Sequence, residues 1–253
     1  MARSIPRILI VAGSDSGGGA GIQADIKTVT MLGGHAMTAV TAITAQNTLG
    51  VQAVHAVPVD MVLAQINSVL GDIGADAVKI GMIGSAETAQ AVADRLAGLD
   101  VPIVFDPVMI ATSGSVLADA ATIAAFSRLM ALASVVTPNL PELAALGGRE
   151  AVLGFGCHLA EKGGHAEGAM VVDRLWSSAR LMREVRGERI DTTSTHGTGC
   201  TFATALATGL GRGLAIEAAF DLAVSFVRSA LIAAPGLGHG HGPMGHQFVT
   251  DFQ

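Results

Sequence analysis

The chain has 253 residues, 50% of them apolar and 14% charged, and carries a net charge of −6 at pH 7. That is enough for one large α/β domain and excludes a disordered chain; the acidic balance argues against a nucleic-acid binder, which carries a basic face. Two cysteines, Cys157 and Cys200, lie outside any CxxC pair, which argues against a disulfide framework or a zinc site and suits a reducing cytoplasm.

Met1 to Arg7 lead into an apolar run, 8–12, too short for a signal-peptide core or a membrane span. No other segment reaches spanning length without polar interruption, so the expectation is a cytoplasmic protein with no membrane partner. Residues 8–12 are continuous and β-branched and read as a buried strand. A glycine-rich turn, 13–21, is followed by a helix over 22–32, closed by Gly33 and Gly34. Residues 35–44 read as the next strand and 60–70 as a helix. Ala77–Ile80 is a strand, 87–96 a helix, Ile103–Phe105 and Val135–Val136 strands, and 140–146 a short helix. Residues 151–161 mix helical and strand features. Residues 170–172 and 184–190 read as strands of a more antiparallel section. Two helices follow, over 197–211 and 215–233, and then a Gly/His-rich tail, 236–246, read as loop. Alternating strands and helices predict one domain, 1–253, with a mostly parallel sheet covered on both faces. Ligands in such sheets bind beyond the carboxyl ends of the strands.

The strongest local signal is Thr195-His196-Gly197-Thr198-Gly199-Cys200. Glycines allow close backbone approach, and the first amides of the following helix lack internal partners. Their field favours an anion, as needed to hold the charge of a transferring phosphoryl group. Cys200 falls in the first helical turn, where a thiol is expected to have a lowered pKa and to accept a substrate proton. A small buried filler is an equal reading.

The loop Gly13-Ser14-Asp15-Ser16-Gly17-Gly18-Gly19-Ala20-Gly21 fits neither a complete G-x-G-x-x-G pattern nor a Walker A motif. Taken alone, it is a strand-to-helix turn. Asp106 stands at a strand end before Pro107, and Glu142 follows Thr137-Pro138-Asn139-Leu140-Pro141. One reading is magnesium held through water by Asp106 and Glu142; the other is an Asn139-capped helix with Glu142 in its first turn. Lys162, before Gly163-Gly164-His165, is an ordinary turn lysine or a phosphate contact. His239, His241 and His246 read as a solvated tail rather than a metal site.

In order, these motifs, with Ala45-Gln46-Asn47-Thr48, Lys79-Ile80-Gly81-Met82 and Asp106-Pro107-Val108-Met109, resemble the hydroxymethylpyrimidine/phosphomethylpyrimidine kinases of the ribokinase superfamily. The resemblance covers nearly the whole chain. It implies a ribokinase-like three-layer α/β/α sandwich with a mostly parallel central sheet. It implies transfer of the γ-phosphoryl of ATP, with Mg2+, to the hydroxymethyl of a small pyrimidine and then to the monophosphate, on the path to thiamine diphosphate. It also implies a homodimer. Ala20, Thr44, Gln46, Met82 and Val108 would line the pyrimidine pocket. Gln46 offers both donor and acceptor to an aminopyrimidine edge. Gly197, Thr198, Gly199 and Cys200 would form the anion hole with Cys200 as base, Asp106 and Glu142 would organise magnesium, and Lys162 would meet the ATP phosphates.

The chain departs from the family pattern in one place. Only residues 143–161 separate the Pro-Asn-Leu-Pro-Glu motif from Lys162, with a short strand expected over 157–161, so the reach of Lys162 is the point to test. Three alternatives stand beside the main reading: a pyridoxal kinase sharing the Gly-Thr-Gly-Cys ending, a nonenzymatic pyrimidine-binding regulatory protein, and, more distantly, a nicotinamide-dependent oxidoreductase.

Overall fold

A computed structural model describes residues 5–111, 114–166, 168–178, 180–250 and 252. The lead-in residues Met1 to Ser4 lie outside the described residues. The elements in chain order are β1 (Arg7–Asp15), α1 (Gly21–Met31), β2 (His35–Asn47), β3 (Gly50–Ala56), α2 (Val59–Asp72), β4 (Ala77–Ile80), α3 (Ala86–Leu96), β5 (Ile103–Phe105), α4 (Ala120–Met130), β6 (Val135–Val136), α5 (Leu140–Ala145), α6 (Arg149–Leu153), β7 (His158–Glu161), β8 (Met170–Ser177), β9 (Arg180–Glu188), α7 (Thr198–Gly211) and α8 (Ile216–Ile232).

The strands form one sheet in the order β3-β2-β1-β4-β5-β6-β7-β8-β9. The six from β2 to β7 in that order are mutually parallel. The outer strands β3, β8 and β9 run antiparallel to their neighbours. Strand β1 is apolar on both faces because both faces are covered. Its Leu9 and Val11 join a core with Val62 and Ile66 of α2, Val92 of α3, Phe126 of α4 and Val152 of α6. Its Ile8 and Ile10 point the other way, into a core with Val29 of α1, Phe202 and Leu206 of α7 and Phe220 of α8. The expected α/β/α sandwich follows from that two-sided burial. No helix among the described residues is long and apolar enough to cross a membrane.

Local chemistry sets several helix starts. The Ser85 hydroxyl accepts from Thr88 N, and the Asp119 carboxylate accepts from Thr122 N. Asn139 and Glu142 form a reciprocal capping box with Pro141 alongside.

Two elements were not expected from the sequence. Strand β3 carries Ala53, Val54 and Ala56 on an exposed hairpin arm, so no inward face marks it. Helix α4 opens at the Asp119 cap, in an alanine-rich stretch of low apolar contrast. The mixed stretch 151–161 separates into the end of α6 and the whole of β7. Parallel pairing continues on both sides of the point where the chain leaves β2 and β3 and returns to β4. The crevice between β1 and β4 is therefore the switch point of the sheet, where such folds bind ligands.

Candidate active site

A cleft of about 720 Å³ opens above the carboxyl ends of the parallel strands. Its walls include Ala20, Gln46, Met82, Asp106, Val108, Glu142, Lys162 and the run Gly197, Thr198, Gly199 and Cys200. Of the residues expected at a site, only Thr44 stands outside this wall. It is buried behind Gln46, with its hydroxyl 3.1 Å from Gln46 Oε1 and 2.9 Å from the carbonyl of Ser14. Met82 is fixed by its carbonyl, which accepts from Thr41 Oγ1 at 2.6 Å. Gly13 opposes it across the switch point: a Cβ on Gly13 would stand 3.0 Å from Met82 Sδ.

Helix α7 begins at Gly197, whose φ of 85° is left-handed. A Cβ there would lie 2.0 Å from the carbonyl oxygen of Gly19, so only glycine lets the two loops meet. The amides of the first turn of a helix lack intrahelical acceptors. Gly199 of that turn faces two charged groups: its Cβ would stand 3.1 Å from Lys162 Nζ and 3.6 Å from Asp106 Oδ2. The helix start, a cation and a carboxylate therefore converge on one point.

Lys162 reaches that point despite the short segment before it. Its ammonium lies 2.7 Å from Asp106 Oδ1, which also accepts from Thr137 Oγ1 at 2.9 Å. Strand β7 pairs with β6 through His158 and Leu159, and this delivers the next residue but two to the sheet end. Burial opposes the lysine charge, but Asp106 and Glu142 outweigh it and hold the pKa above the usual value.

Glu142 does two things. Its carboxylate accepts from Asn139 N at 2.8 Å, so the capping reading holds. It also faces the cleft, where burial pushes its pKa up to about 7, against the pull of the Lys162 ammonium. No group of three His, Cys, Asp or Glu side chains able to cage a metal occurs among the described residues. Asp106 and Glu142 face the same cleft, and a pair of carboxylates is the kind of donor set a hydrated Mg2+ takes.

The Cys200 expectation is reversed in one respect. Burial raises the thiol to about 11; the Lys79 ammonium opposes that rise, and Asp25 and Asp106 add to it. Burial thus outweighs the helix start, and the thiol is protonated at neutral pH.

Sequence reasoning missed three residues beneath the site. Lys79 and Asp25, both fully buried, form an ion pair at 2.8 Å, and Thr204 of α7 donates to Asp25 Oδ1 at 2.6 Å. Asp25 holds the Lys79 ammonium charged despite its burial. A lysine inside the apolar strand Ala-Val-Lys-Ile was the available signal. A second missed cluster joins Asp15, His196 and Gln46, with His196 Nε2 at 2.9 Å from Asp15 Oδ2 and 3.0 Å from the Gln46 amide nitrogen.

The tail is only partly the solvated loop expected. His239 and His241 are exposed, but His241 lines the cleft and meets Thr195 Oγ1 at 3.1 Å. His246 is buried and pairs with Thr201 Oγ1 at 2.8 Å.

A family model described as phosphomethylpyrimidine kinase matches residues 15–245. A hydroxymethylpyrimidine/phosphomethylpyrimidine kinase of Streptomyces coelicolor is 46% identical over 255 residues, covering 95% of this chain and 94% of its own. Among solved structures, an ADP complex of Bacillus subtilis pyridoxal kinase superposes with a TM-score of 0.87 at 31% identity, covering 96% of this chain and 98% of that one. A phosphomethylpyrimidine kinase of Clostridium difficile gives 0.76 at 35% identity, covering 90% and 99%.

Proposed function

The chain belongs to the phosphomethylpyrimidine kinase family, and on that premise we propose that its cleft transfers the γ-phosphoryl of ATP to 4-amino-5-hydroxymethyl-2-methylpyrimidine, and then to the monophosphate, supplying the diphosphate for thiamine diphosphate synthesis. The reading takes the chain as one domain working in the cytoplasm as a homodimer. The observation that carries it is the convergence of the α7 start, Lys162 and Asp106 on Gly199, in the same cleft as Gln46.

In this reading Ala20, Gln46, Met82 and Val108 hold the pyrimidine, with Thr44 supporting Gln46 from behind. The amides of Gly197, Thr198, Gly199 and Cys200 face the phosphoryl group in flight, where fixed dipoles stabilise the charge that builds on its oxygens. Lys162 adds a full positive charge at the same point. Cys200, in its thiolate form, takes the hydroxyl proton during attack, so the minority of molecules that carry the thiolate at neutral pH are the ones that turn over. Asp106 and Glu142 would hold Mg2+, which when bound neutralises phosphate charge.

The test is ATP consumption with products resolved by mass, offering the hydroxymethylpyrimidine, its monophosphate and pyridoxal in parallel. Phosphorylation of both pyrimidines is the expected result. Turnover of pyridoxal alone supports the second reading, vitamin B6 salvage, which is motivated by the superposition on pyridoxal kinase. Tight binding without turnover of any of the three returns the regulatory alternative.

A further inference from the structure

The Asp15, His196 and Gln46 cluster contains a hydrogen-bond contradiction whose resolution says how substrate is read. Asp15 ends β1 and is buried, and its carboxylate accepts from three backbone amides: Gly17 N at 2.8 Å, Gly19 N at 2.9 Å and Ala20 N at 2.8 Å. Three donors aimed at one carboxyl keep it ionised. His196 Nε2, buried beside it at 2.9 Å, must therefore be the protonated nitrogen and donate to Asp15 Oδ2.

That leaves no lone pair on His196 Nε2 for the Gln46 amide nitrogen 3.0 Å away. The other end of the amide meets the same difficulty. The Thr44 hydroxyl has one proton, and it is directed at Ser14 O, 2.9 Å away, so it has none for Gln46 Oε1 at 3.1 Å. Turning the amide over removes both conflicts at once. Gln46 Oε1 then shares the His196 Nε2 proton with Asp15, and the Gln46 amide nitrogen donates to Thr44 Oγ1.

We propose that Asp15 and His196 are a positioning pair that fixes the polarity of the Gln46 amide, so that the cleft selects an aminopyrimidine edge and rejects the pyrimidinone edge of the same shape. This rests on the reading of Gln46 as the residue that meets the pyrimidine. With one N–H committed to Thr44 and one oxygen lone pair to His196, the amide keeps one donor and one acceptor in a set order. A 4-aminopyrimidine offers a ring nitrogen acceptor beside an amino donor. The 4-oxo ring offers an N–H donor beside a carbonyl acceptor, the reverse order. A freely turning glutamine would serve both; a locked one serves one. The close fit of the loop agrees: a Cβ on Gly19 would stand 2.5 Å from the His196 ring, so this ring sits where only glycine allows it.

Calorimetry on the full chain, with 4-amino-5-hydroxymethyl-2-methylpyrimidine and its 4-oxo counterpart, tests the proposal. The native sequence is expected to prefer the amino compound by on the order of 100-fold, since the wrong edge leaves two groups unpaired. Equal affinities would overturn the proposal without any variant. His196→Gln places a side chain that can present either end of its own amide, so the preference should fall below about tenfold while amino-compound binding remains measurable. A merely structural role for His196 would weaken both compounds together and leave their ratio unchanged, and that result sinks the proposal. Asp15→Asn is the second variant: it frees His196 to offer a lone pair at Nε2, and the preference should fall or reverse. Gln46→Ala separates the two levels. If it leaves amino-compound affinity unchanged, the reading of Gln46 itself fails; if it weakens binding while both other variants keep the native ratio, only the positioning role fails.

Discussion

At Cys200 two influences compete, and their balance sets a pH profile. The α7 start favours a thiolate, yet burial holds the thiol up at about 11. At pH 7 roughly one molecule in 10⁴ carries the thiolate. If Cys200 is the base, log(kcat/KM) for the native chain should climb with a slope near one from pH 7 to 9, because kcat/KM follows the ionisation of the free protein. Cys200→Ala should lose most turnover while still binding pyrimidine. Cys200→Asp places a group already ionised at neutral pH, so its profile over the same range should be flat. A flat profile in the native chain, or unchanged turnover in Cys200→Ala, removes the thiol from proton transfer. The position of Cys200 was legible in the sequence, because glycines, a hydroxyl and a helix start lie in one run. Its ionisation was not, since that depends first on burial and then on Lys79, Asp25 and Asp106, which the fold brings from β4, α1 and the loop just after β5.

Between elements, the buried pair of Lys79 and Asp25 links β4 to α1, and Thr204 adds α7 to the same knot. These three elements carry the switch-point crevice, the glycine loop and the anion-binding turn. Removing one partner of a fully buried pair leaves an uncompensated charge, which costs about 3–5 kcal/mol, whereas replacing both with apolar groups is often neutral. Lys79→Met should therefore destabilise the chain by about that amount in denaturant unfolding. The double change Lys79→Met with Asp25→Leu should recover much of the loss. A single variant as stable as the native chain would show that the pair does not hold these elements together. The sequence revealed β1, β5 and β6 because parallel strands buried on both faces read as unbroken apolar runs, and β4 as such a run interrupted only by Lys79. It concealed β3, whose residues meet solvent, and α4, whose cap at Asp119 precedes an alanine-rich stretch without a sharp polar face. Exposure in one case and weak contrast in the other erase the periodic signal.

For the molecule as a whole, the order of motifs along the chain was legible, and so was their gathering at one end of the sheet, because strand ends and helix starts alternate with the chain. The closing of the tail was not. Gly245 N donates to Ala230 O of α8 at 2.9 Å, and a Cβ on Gly245 would sit 2.0 Å from Ala233 O, so the tail lies flat on that helix. This carries His246 inward to Thr201 of α7 and against Phe226 of α8, with ring centroids 6.3 Å apart. A histidine in a glycine-rich stretch gives no sign of that burial. Its consequence is an acid sensitivity of the whole fold. Burial, aided by the nearby Lys27 charge, lowers the His246 pKa from 6.5 to about 4. Between those values the unfolded chain binds a proton that the folded chain refuses, so stability rises with pH through this window. The His246 contribution is complete above pH 6.5, falls away as pH drops towards 4, and is constant below. Over that span it amounts to roughly 3 kcal/mol. His246→Gln keeps a polar partner for Thr201 but cannot titrate, so its denaturant midpoint should fall much less than that of the native chain between pH 6.5 and 4. Parallel declines in the two proteins would assign the acid sensitivity to other groups and leave His246 a packing residue only.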